Sequence, residues 1–223
     1  MDIQIIMKKT IIITTVLLFA LFLVKQKDMT FRQSILKAIY PVVMFFGKLF
    51  PSKHSALVND KFIQPSVSFY QLKAIANNGD TVNFEQFKGK KVFVVNTASD
   101  CGYTAQYDEL EKLHQQYKNN LVILGFPAND FKEQEKKKDD EIASFCKINY
   151  GVTFQLMKKS HVIKGDEQNE VFKWLSDSTK NGWCNQQPVW NFSKYVINEN
   201  GLLTNFFVQT VSPLDKKVIE AIQ

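Results

Sequence analysis

The sequence predicts an α/β fold in which a central mixed sheet is flanked by helices. Residues 92–95 and 121–126 are continuous apolar runs, which is typical of strands buried on both faces. A helical pattern through Leu110 and Leu113 lies between these two runs. Residues 192–197 and 202–207 flank the turn sequence N-E-N-G and predict a hairpin. Strands that alternate with helices in this way predict a sheet with helices packed on it.

The remaining elements complete this order. Residues 69–75 and 81–84 predict a small hairpin with an Asn-Gly turn, which we expect to cover one edge of the sheet. Residues 141–147 predict a short helix, and Pro213 is expected to open a C-terminal helix. The order strand, helix, strand, helix, hairpin, helix predicts a thioredoxin-like fold.

The composition limits the class of protein and its partners. The chain has 223 residues, 28 Lys and Arg against 22 Asp and Glu, and 45% hydrophobic residues, which excludes disorder and a polytopic membrane protein. Residues 1–61 hold nine basic and three acidic side chains, so the net charge of +6 lies there. Because this charge flanks apolar segments, a membrane is the expected partner and a nucleic acid is not.

The first 30 residues predict a signal peptide or a signal anchor. Lys8 and Lys9 precede the uncharged residues 11–24, and Lys25 and Lys27 follow them. As a helix this run would be roughly 21 Å long, which is short of a hydrocarbon core of about 30 Å. The short length favours a cleaved signal peptide, whereas the absence of an A-x-A-like cleavage site favours an anchor, so both alternatives stay open. The flanking charges weakly favour a periplasmic or other extracytoplasmic location for the globular part, which would be secreted if the segment is cleaved.

Residues 31–61 predict an amphipathic helix followed by a linker. Apolar side chains recur at helical spacing among Arg32, Lys37 and Lys48, a pattern that suits either a helix on an anionic membrane surface or a helix docked on the domain. Pro41 is expected to kink or divide this helix, since it lacks an amide hydrogen. The globular domain is then expected over residues 62–223.

Cys101 is the residue that most suggests chemistry. It follows a predicted buried strand and precedes a predicted helix, where backbone amides and the helix dipole should lower the pKa of a thiol. Its motif is C-G-Y-T, not C-x-x-C, which argues against a dithiol reductase. The chain has three cysteines, too few for a disulfide framework and without the spacing of a zinc site. An inert cysteine packed in the core is the alternative.

Four segments in the same order resemble the glutathione peroxidase family, across residues 68–222. They are V-N-T-A-S-D-C-G-Y-T at 95–104, L-G-F-P-A-N-D-F at 124–131, E-I-A-S-F-C-K-I-N-Y-G-V-T-F at 141–154, and W-N-F at 190–192. The resemblance implies that Cys101 is the peroxidatic cysteine and that Gln134, Trp190 and Asn191 are the other catalytic residues. Amide and indole N–H groups suit such a site, because they stabilise a thiolate and a departing alkoxide without competing as nucleophiles. Asn191 also begins an N-x-S sequon, which we interpret as coincidental because its side chain should face the site.

The resemblance also implies a second thiol. Cys146 stands where thioredoxin-dependent members of the family carry the resolving cysteine, which predicts a thioredoxin-like reductant with glutathione as the alternative. A Cys101–Cys146 disulfide would require local unwinding, because Cα atoms must come within about 7 Å. Cys146 as a simple core residue is the alternative. Cys184 lies in a polar loop, matches no family position and is expected to be a bystander.

Several departures from the family pattern affect the site. The loop around Gln134 differs at four positions from that of many relatives. The cysteine is replaced by Ala128, the glutamine by Asp130, the glycine by Lys132 and the proline by Lys136. Asp100 should disfavour a thiolate at Cys101 by charge repulsion, and residues 136–138 are candidates to offset it. The short segment between Trp174 and Trp190 implies a monomer with an open site that admits hydrogen peroxide and organic or lipid hydroperoxides.

Other functions compete with that of a peroxidase. The P-x-x-x-T-x-x-C arrangement is absent, which argues against peroxiredoxin activity. A membrane-tethered redox sensor or scaffold that passes oxidation from Cys101 to a partner protein is a non-enzymatic alternative, and an oxidant of client thiols is another. The sequence has no G-x-G-x-x-G or P-loop motif and suggests no metal, haem, flavin or nucleotide cofactor, so thiol-only catalysis is expected.

Overall fold

The computed structural model describes residues 29–49 and 55–223. A six-stranded sheet has the order β1-β8-β7-β4-β5-β6, and a separate two-stranded sheet pairs β2 with β3. β4, β5 and β6 are parallel, whereas the β4–β7, β7–β8 and β8–β1 pairs are antiparallel. The strands are β1 Ala56–Val58, β2 Lys73–Ile75, β3 Thr81–Asn83, β4 Lys91–Thr97, β5 Leu121–Pro127, β6 Gln155–Leu156, β7 Lys194–Ile197 and β8 Leu203–Phe207. The predicted mixed sheet of a thioredoxin-like fold is therefore confirmed.

Helices lie between these strands and before the first of them. They are α1 Phe31–Leu49, α2 Gln106–Tyr117, α3 Asp139–Tyr150, α4 Glu170–Leu175, α5 Ser178–Asn181 and α6 Lys216–Ile222, and two short 3-10 helices span Phe69–Gln71 and Phe84–Phe87. α3 ends at Gly151, whose left-handed φ of 63° places its N–H on the carbonyls of Cys146 and Lys147.

The two apolar runs form the centre of the sheet. β4 and β5 pair in parallel, with Phe93 opposite Ile123, and both side chains are buried. Leu110 and Leu113 of α2 are also fully buried. The chain thus leaves β4, turns at Cys101 and enters α2, as the sequence predicts. This crossover places Cys101 at the carboxyl end of a rigid central strand.

Two boundaries differ from the prediction, and the position of the small hairpin agrees with it. Residues 56–58 were expected to be linker but form β1, an edge strand too short to show an alternating pattern, so the domain begins before residue 62. The C-terminal helix begins at Lys216, not at Pro213, because the Asp215 side chain caps it by accepting a hydrogen bond from the Lys217 N–H. The hairpin of β2 and β3 borders the β6 edge as predicted, where Asn77 N–H donates to the Leu156 carbonyl.

α1 is docked on the domain. Tyr40 donates to Glu109 of α2 at 3.0 Å, and Lys37 donates to the carbonyl of Asn149 in α3 at 3.1 Å. The helix is continuous through Pro41, so the expected division is wrong. Tyr40 before the proline and Met44 after it are both buried against Ala105, which holds both halves on the domain although the ring removes one backbone donor.

The predicted signal peptide or anchor at residues 1–30 lies almost entirely outside the described residues. In residues 29–49 and 55–223, no helix is both long enough and apolar enough to cross a membrane.

Candidate active site

The turn that carries Cys101 is fixed by one threonine. The Thr104 hydroxyl accepts a hydrogen bond from the Cys101 N–H at 3.0 Å and lies 2.9 Å from the carbonyl oxygen of Ala98. Thr104 is buried, so these bonds are shielded from water. The backbone at Cys101 is thereby held in one conformation between β4 and α2.

The Cys101 sulfur is buried and surrounded by hydrogen-bond donors. It accepts the Tyr103 N–H at 3.4 Å and is 1% exposed. Burial raises the pKa of the Cys101 thiol, while the Tyr103 N–H, the Trp190 and Asn191 side chains and the Arg32 charge act in the opposite direction. The predicted lowering of this pKa is therefore wrong in sign, because the effect of burial on the pKa is larger than the opposite effect of the hydrogen-bond donors. Cys101 also precedes the first residue of α2, Gln106, by a full turn, where the helix dipole is weak.

Asn191 and Trp190 reach the site on a turn that β4 holds. Asn96 of β4 donates from its side chain to the Trp190 carbonyl at 3.1 Å and accepts the Ser193 N–H at 3.0 Å. Phe192 within this turn has a φ of 67°, which is uncommon for a residue other than glycine. The Asn191 side chain is fully buried, which agrees with its interpretation as a site residue and not a glycosylation site.

Gln134 joins the same cluster. Its side-chain carbonyl accepts from the Asn191 amide at 3.0 Å, and its backbone carbonyl accepts the N–H of Asp100 at 3.0 Å. The structure therefore brings Cys101, Gln134, Trp190 and Asn191 together, although they are far apart in sequence. Their roles as catalytic residues stay predictions.

The loop that carries Gln134 has two residues in the left-handed region of backbone conformation. Lys132 and Glu133 adopt left-handed φ values of 53° and 51°. Each such residue costs about 1 kcal/mol or more. Glu135 offsets this strain from inside, because its buried carboxylate accepts the backbone N–H of Ser99 at 2.8 Å and its hydroxyl at 2.7 Å. Burial raises the pKa of the Glu135 carboxyl, although the Ser99 bonds act in the opposite direction.

Asp130, which replaces the family's glutamine, has structural contacts. One oxygen accepts the Val162 N–H at 2.8 Å, and the other lies 2.8 Å from Nδ1 of His161. The hydrogen bond to Asp130 raises the pKa of His161. This substitution therefore ties the loop to the segment after β6.

The charge of Asp100 is offset by a residue that the sequence did not suggest. Its carboxylate pairs with the guanidinium of Arg32 in α1 at 2.5 Å. The sequence left residues 136–138 open as a source of this charge or as a solvated face. In the structure Lys136 pairs with Glu133 at 3.0 Å, and Lys137 lies over the Phe145 ring. Arg32 thus places a positive charge near Cys101, with the effect on the pKa of the thiol described above.

Cys146 lies outside this cluster. It is fully buried in α3, and burial raises the pKa of its thiol to about 12. The groups that modify this pKa are Tyr107, Glu135 and Lys137, none of which acts on Cys101. Cys101, Cys146 and Cys184 are all free thiols. The structure therefore shows the reduced protein, and the predicted role of Cys146 as the resolving cysteine belongs to a step after the oxidation of Cys101.

Cys184 is a core residue. Its backbone N–H and carbonyl bond the side chain of Asn181 at 2.7 Å each, and burial raises the pKa of its thiol to about 11. Cys184 lies in a loop, as predicted, but its side chain is buried in the core.

Four residues were missed as parts of the site: Asn96, Thr104, Glu135 and Arg32. Asn96 had a usable signal, because an asparagine inside a buried apolar strand needs hydrogen-bond partners. Glu135 had a weaker signal, as the direct neighbour of Gln134. Arg32 had none, because nothing in the sequence relates it to residue 100.

The fold and this site together define a class. A single buried cysteine follows the central strand of a thioredoxin-like sheet, faces amide and indole donors, and has no neighbouring thiol in its own motif. This is the arrangement of a thiol oxidoreductase that uses one attacking sulfur, not a dithiol pair.

Comparisons with known proteins give the family. A model described as glutathione peroxidase matches residues 69–176. The chain is 41% identical over 157 residues to "Glutathione peroxidase-like peroxiredoxin 2" of Saccharomyces cerevisiae, which covers 69% of this chain and 96% of that one. It is also 41% identical over 148 residues to "Glutathione peroxidase" of Lactococcus lactis subsp. cremoris, covering 66% and 93% of the two chains. The chain belongs to the glutathione peroxidase family and is a thiol-dependent peroxidase.

Solved structures agree. The apo form of the protein named Trgpx is 36% identical, covers 70% of this chain and 96% of its own, and superposes with a TM-score of 0.53. A DsbF homologue from Corynebacterium diphtheriae has a TM-score of 0.55 at 15% identity, over 77% and 94% of the chains, and supports the thioredoxin-like fold alone.

One exclusion made from the sequence is overturned. The absence of P-x-x-x-T-x-x-C argued against peroxiredoxin activity, yet the Saccharomyces cerevisiae relative is named a glutathione peroxidase-like peroxiredoxin. The absence of that motif therefore does not exclude the glutathione-peroxidase-like type, and in this chain Cys101 lies in the motif C-G-Y-T.

Proposed function

We propose that this chain reduces hydrogen peroxide and organic or lipid hydroperoxides at Cys101 and is recycled by a thioredoxin-like protein. The observation that carries the proposal is the set of donors around the Cys101 sulfur: the Tyr103 N–H at 3.4 Å and the side chains of Trp190 and Asn191. These groups stabilise negative charge on the sulfur and on the oxygen that leaves it.

The first step oxidises Cys101. The thiolate attacks the terminal peroxide oxygen, the O–O bond breaks, and the sulfur becomes a sulfenic acid while the peroxide is released as an alcohol or water after taking up a proton. Because burial raises the pKa of Cys101, deprotonation is part of the barrier to this step. Gln134 holds the Asn191 amide in place through its side-chain carbonyl, so its contribution is to orient a donor.

Cys146 is the proposed resolving thiol. Its sulfur would attack the sulfenic sulfur, which forms a Cys101–Cys146 disulfide and releases water. Cys146 lies near the end of α3, where its carbonyl accepts the N–H groups of Gly151 and Val152. Opening this last turn would free the thiol for the attack. A reduced dithiol protein then returns both cysteines to thiols and itself becomes a disulfide.

The location is proposed from the sequence. The apolar residues 11–24 and their flanking lysines support an N-terminal membrane anchor, with the globular domain in the periplasm or another extracytoplasmic space. A cleaved signal would give a secreted protein instead. The short segment between Trp174 and Trp190 supports a monomer.

The test uses the full chain, because α1 and β1 pack on the domain. Peroxide consumption is measured with thioredoxin and its reductase, and separately with glutathione, for the wild type, Cys101→Ser and Cys146→Ser. Cys184→Ser is the matched control, since Cys184 is a buried thiol outside the site. We expect thioredoxin-driven turnover to be lost in the first two variants and kept in the third.

Three results would contradict parts of this proposal. Full turnover by Cys146→Ser, or equal rates with glutathione, would remove Cys146 and thioredoxin from the cycle. Slow turnover with an accumulating mixed disulfide between Cys101 and a partner would favour a redox sensor.

A further inference from the structure

α1 contacts the domain through several polar side chains and through Met44, which is buried in a small cluster with Tyr40 and Ala105. Gln33 donates to the Ser99 carbonyl at 3.1 Å, and Tyr40 donates to Glu109 at 3.0 Å. Lys37 donates to the Asn149 carbonyl at 3.1 Å and lies 4.2 Å from the centre of the Tyr150 ring. These bonds reach the Cys101 turn, α2 and α3, so they fix how the helix is rotated about its axis.

The opposite side of α1 is apolar and exposed. Its large side chains, here called the outer apolar face, are 41% to 65% exposed: Phe31, Ile39, Val42, Phe45, Phe46 and Leu49. Their spacing places them on one side of the helix. A surface helix on a soluble domain normally has the reverse arrangement, with apolar residues inward. A large exposed apolar patch of this kind indicates an interaction surface.

The net positive charge of the sequence around α1 favours an anionic lipid surface over a second copy of this chain as the occupant of the face. Residues 1–61 carry nine basic and three acidic side chains, so two copies that met through this face would bring like charges together. The apolar residues 11–24 end seven residues before Phe31. Seven residues span at most about 25 Å, so a bilayer entered by that run would lie within reach of α1.

We propose that the outer apolar face of α1 lies in the interface of an anionic bilayer. Arg32, directly after Phe31, pairs with Asp100, and Asp100 precedes Cys101. The beginning of the face is therefore next to the turn that carries the reactive sulfur. The substrate class that follows is a hydroperoxide on a membrane acyl chain. This consequence rests on the proposed peroxidase function, whereas the lipid contact does not.

The lipid contact is tested on the full chain reconstituted in phosphatidylcholine and phosphatidylglycerol vesicles with brominated or ordinary acyl chains. Phe45→Trp places a fluorophore on the face, and Ile75→Trp on β2 is the matched control, since Ile75 is also an exposed apolar residue. The emission of the native tryptophans is subtracted using the wild type. We expect about twofold quenching of the added emission by bromine for Phe45→Trp and none for Ile75→Trp, because interfacial helices insert into the acyl boundary.

A second pair of variants tests the consequence. Phe45→Asp combined with Phe46→Asp is expected to lower turnover of phospholipid hydroperoxide in vesicles about tenfold or more. The reason is that burial of one Phe side chain in the bilayer raises the partition coefficient of the face by about tenfold or more. Turnover of hydrogen peroxide in solution should stay unchanged, and Ile75→Asp should affect neither substrate.

Equal emission of Phe45→Trp with and without bromine would overturn the lipid proposal. In that event, a blue shift would identify protein as the occupant, either residues 11–24 or a second copy, and the mass of the detergent-solubilised protein would distinguish these. Quenching of Phe45→Trp without peroxide turnover by any variant would instead refute the proposed function and leave the lipid contact standing.

Discussion

Arg32→Gln tests whether α1 tunes the pKa and the oxidation rate of Cys101. The substitution removes a positive charge that lowers the pKa of Cys101 and leaves the Asp100 carboxylate unpaired beside it. Both changes disfavour the thiolate. The pH profile of Cys101 oxidation should therefore shift to higher pH, and the rate at pH 7 should fall.

The size of the effect follows from the exposure of the ion pair. The Arg32 and Asp100 side chains are 60% and 37% exposed, so water and salt screen their charges. Exposed pairs contribute about 0.2 to 1 kcal/mol. With a factor of ten for each 1.36 kcal/mol, this predicts a rate about 1.4-fold to 5-fold lower at pH 7.

The measurement is the single-turnover rate of Cys101 oxidation by hydrogen peroxide, followed by stopped-flow fluorescence between pH 5 and about 9, the ordinary pKa of a cysteine. Arg32→Lys is the control that keeps the charge, and it should retain most of the rate. Asp100→Asn should change the rate in the opposite direction to Arg32→Gln. High salt should reduce every difference. An unchanged profile for Arg32→Gln, or a shift to lower pH, would refute the electrostatic role of α1.

Three further predictions concern single groups. Because burial raises the pKa of Cys101, its alkylation by iodoacetamide in the reduced protein should be slow at pH 7 and still rising at pH 9; a plateau below neutrality, measured by peptide mass spectrometry, would contradict this. Glu135 has a raised pKa in the folded state, so the stability it confers is full below its ordinary value of 4.5 and is lost as pH rises through the folded pKa. In urea unfolding, the free energy of unfolding of the wild type should accordingly fall relative to that of Glu135→Gln above pH 4.5. The same pH dependence for both proteins would contradict the prediction. Gly182→Ala should cost about 2 kcal/mol or more, as a Cβ there would lie 2.6 Å from the Gln64 carbonyl oxygen at a φ of 98°; an unchanged melting temperature would be the contrary result.

Much of the sheet and the positions of the site residues were predictable. The runs at 92–95 and 121–126 are apolar on both faces, which only a central strand of a layered fold accommodates. The segments around Cys101, Gln134 and Trp190 resemble one family in order and spacing, and the structure brings these residues together. Local pattern was sufficient here because each feature is encoded within a few consecutive residues.

The boundaries of short elements were less predictable. β1 has three residues, Ala56–Val58, and is a strand only because β8 offers a free edge for pairing. α6 begins at Lys216 because the Asp215 side chain caps it, whereas Pro213 alone suggested an earlier start. In both cases a single hydrogen-bonded contact decides the boundary.

The sequence by itself determined the fold class, the candidate for the reactive cysteine and the amphipathic character of α1. The tertiary structure decided the direction of the pKa shift at Cys101 and the partner of Asp100, because burial and charge at a point depend on residues distant in the chain. It also decided which side of α1 faces the domain. Sequence periodicity identifies the two faces of a helix but not which of them contacts the domain. The hydrogen bonds from Gln33, Lys37 and Tyr40 show that the polar side faces the domain and the apolar side faces outward.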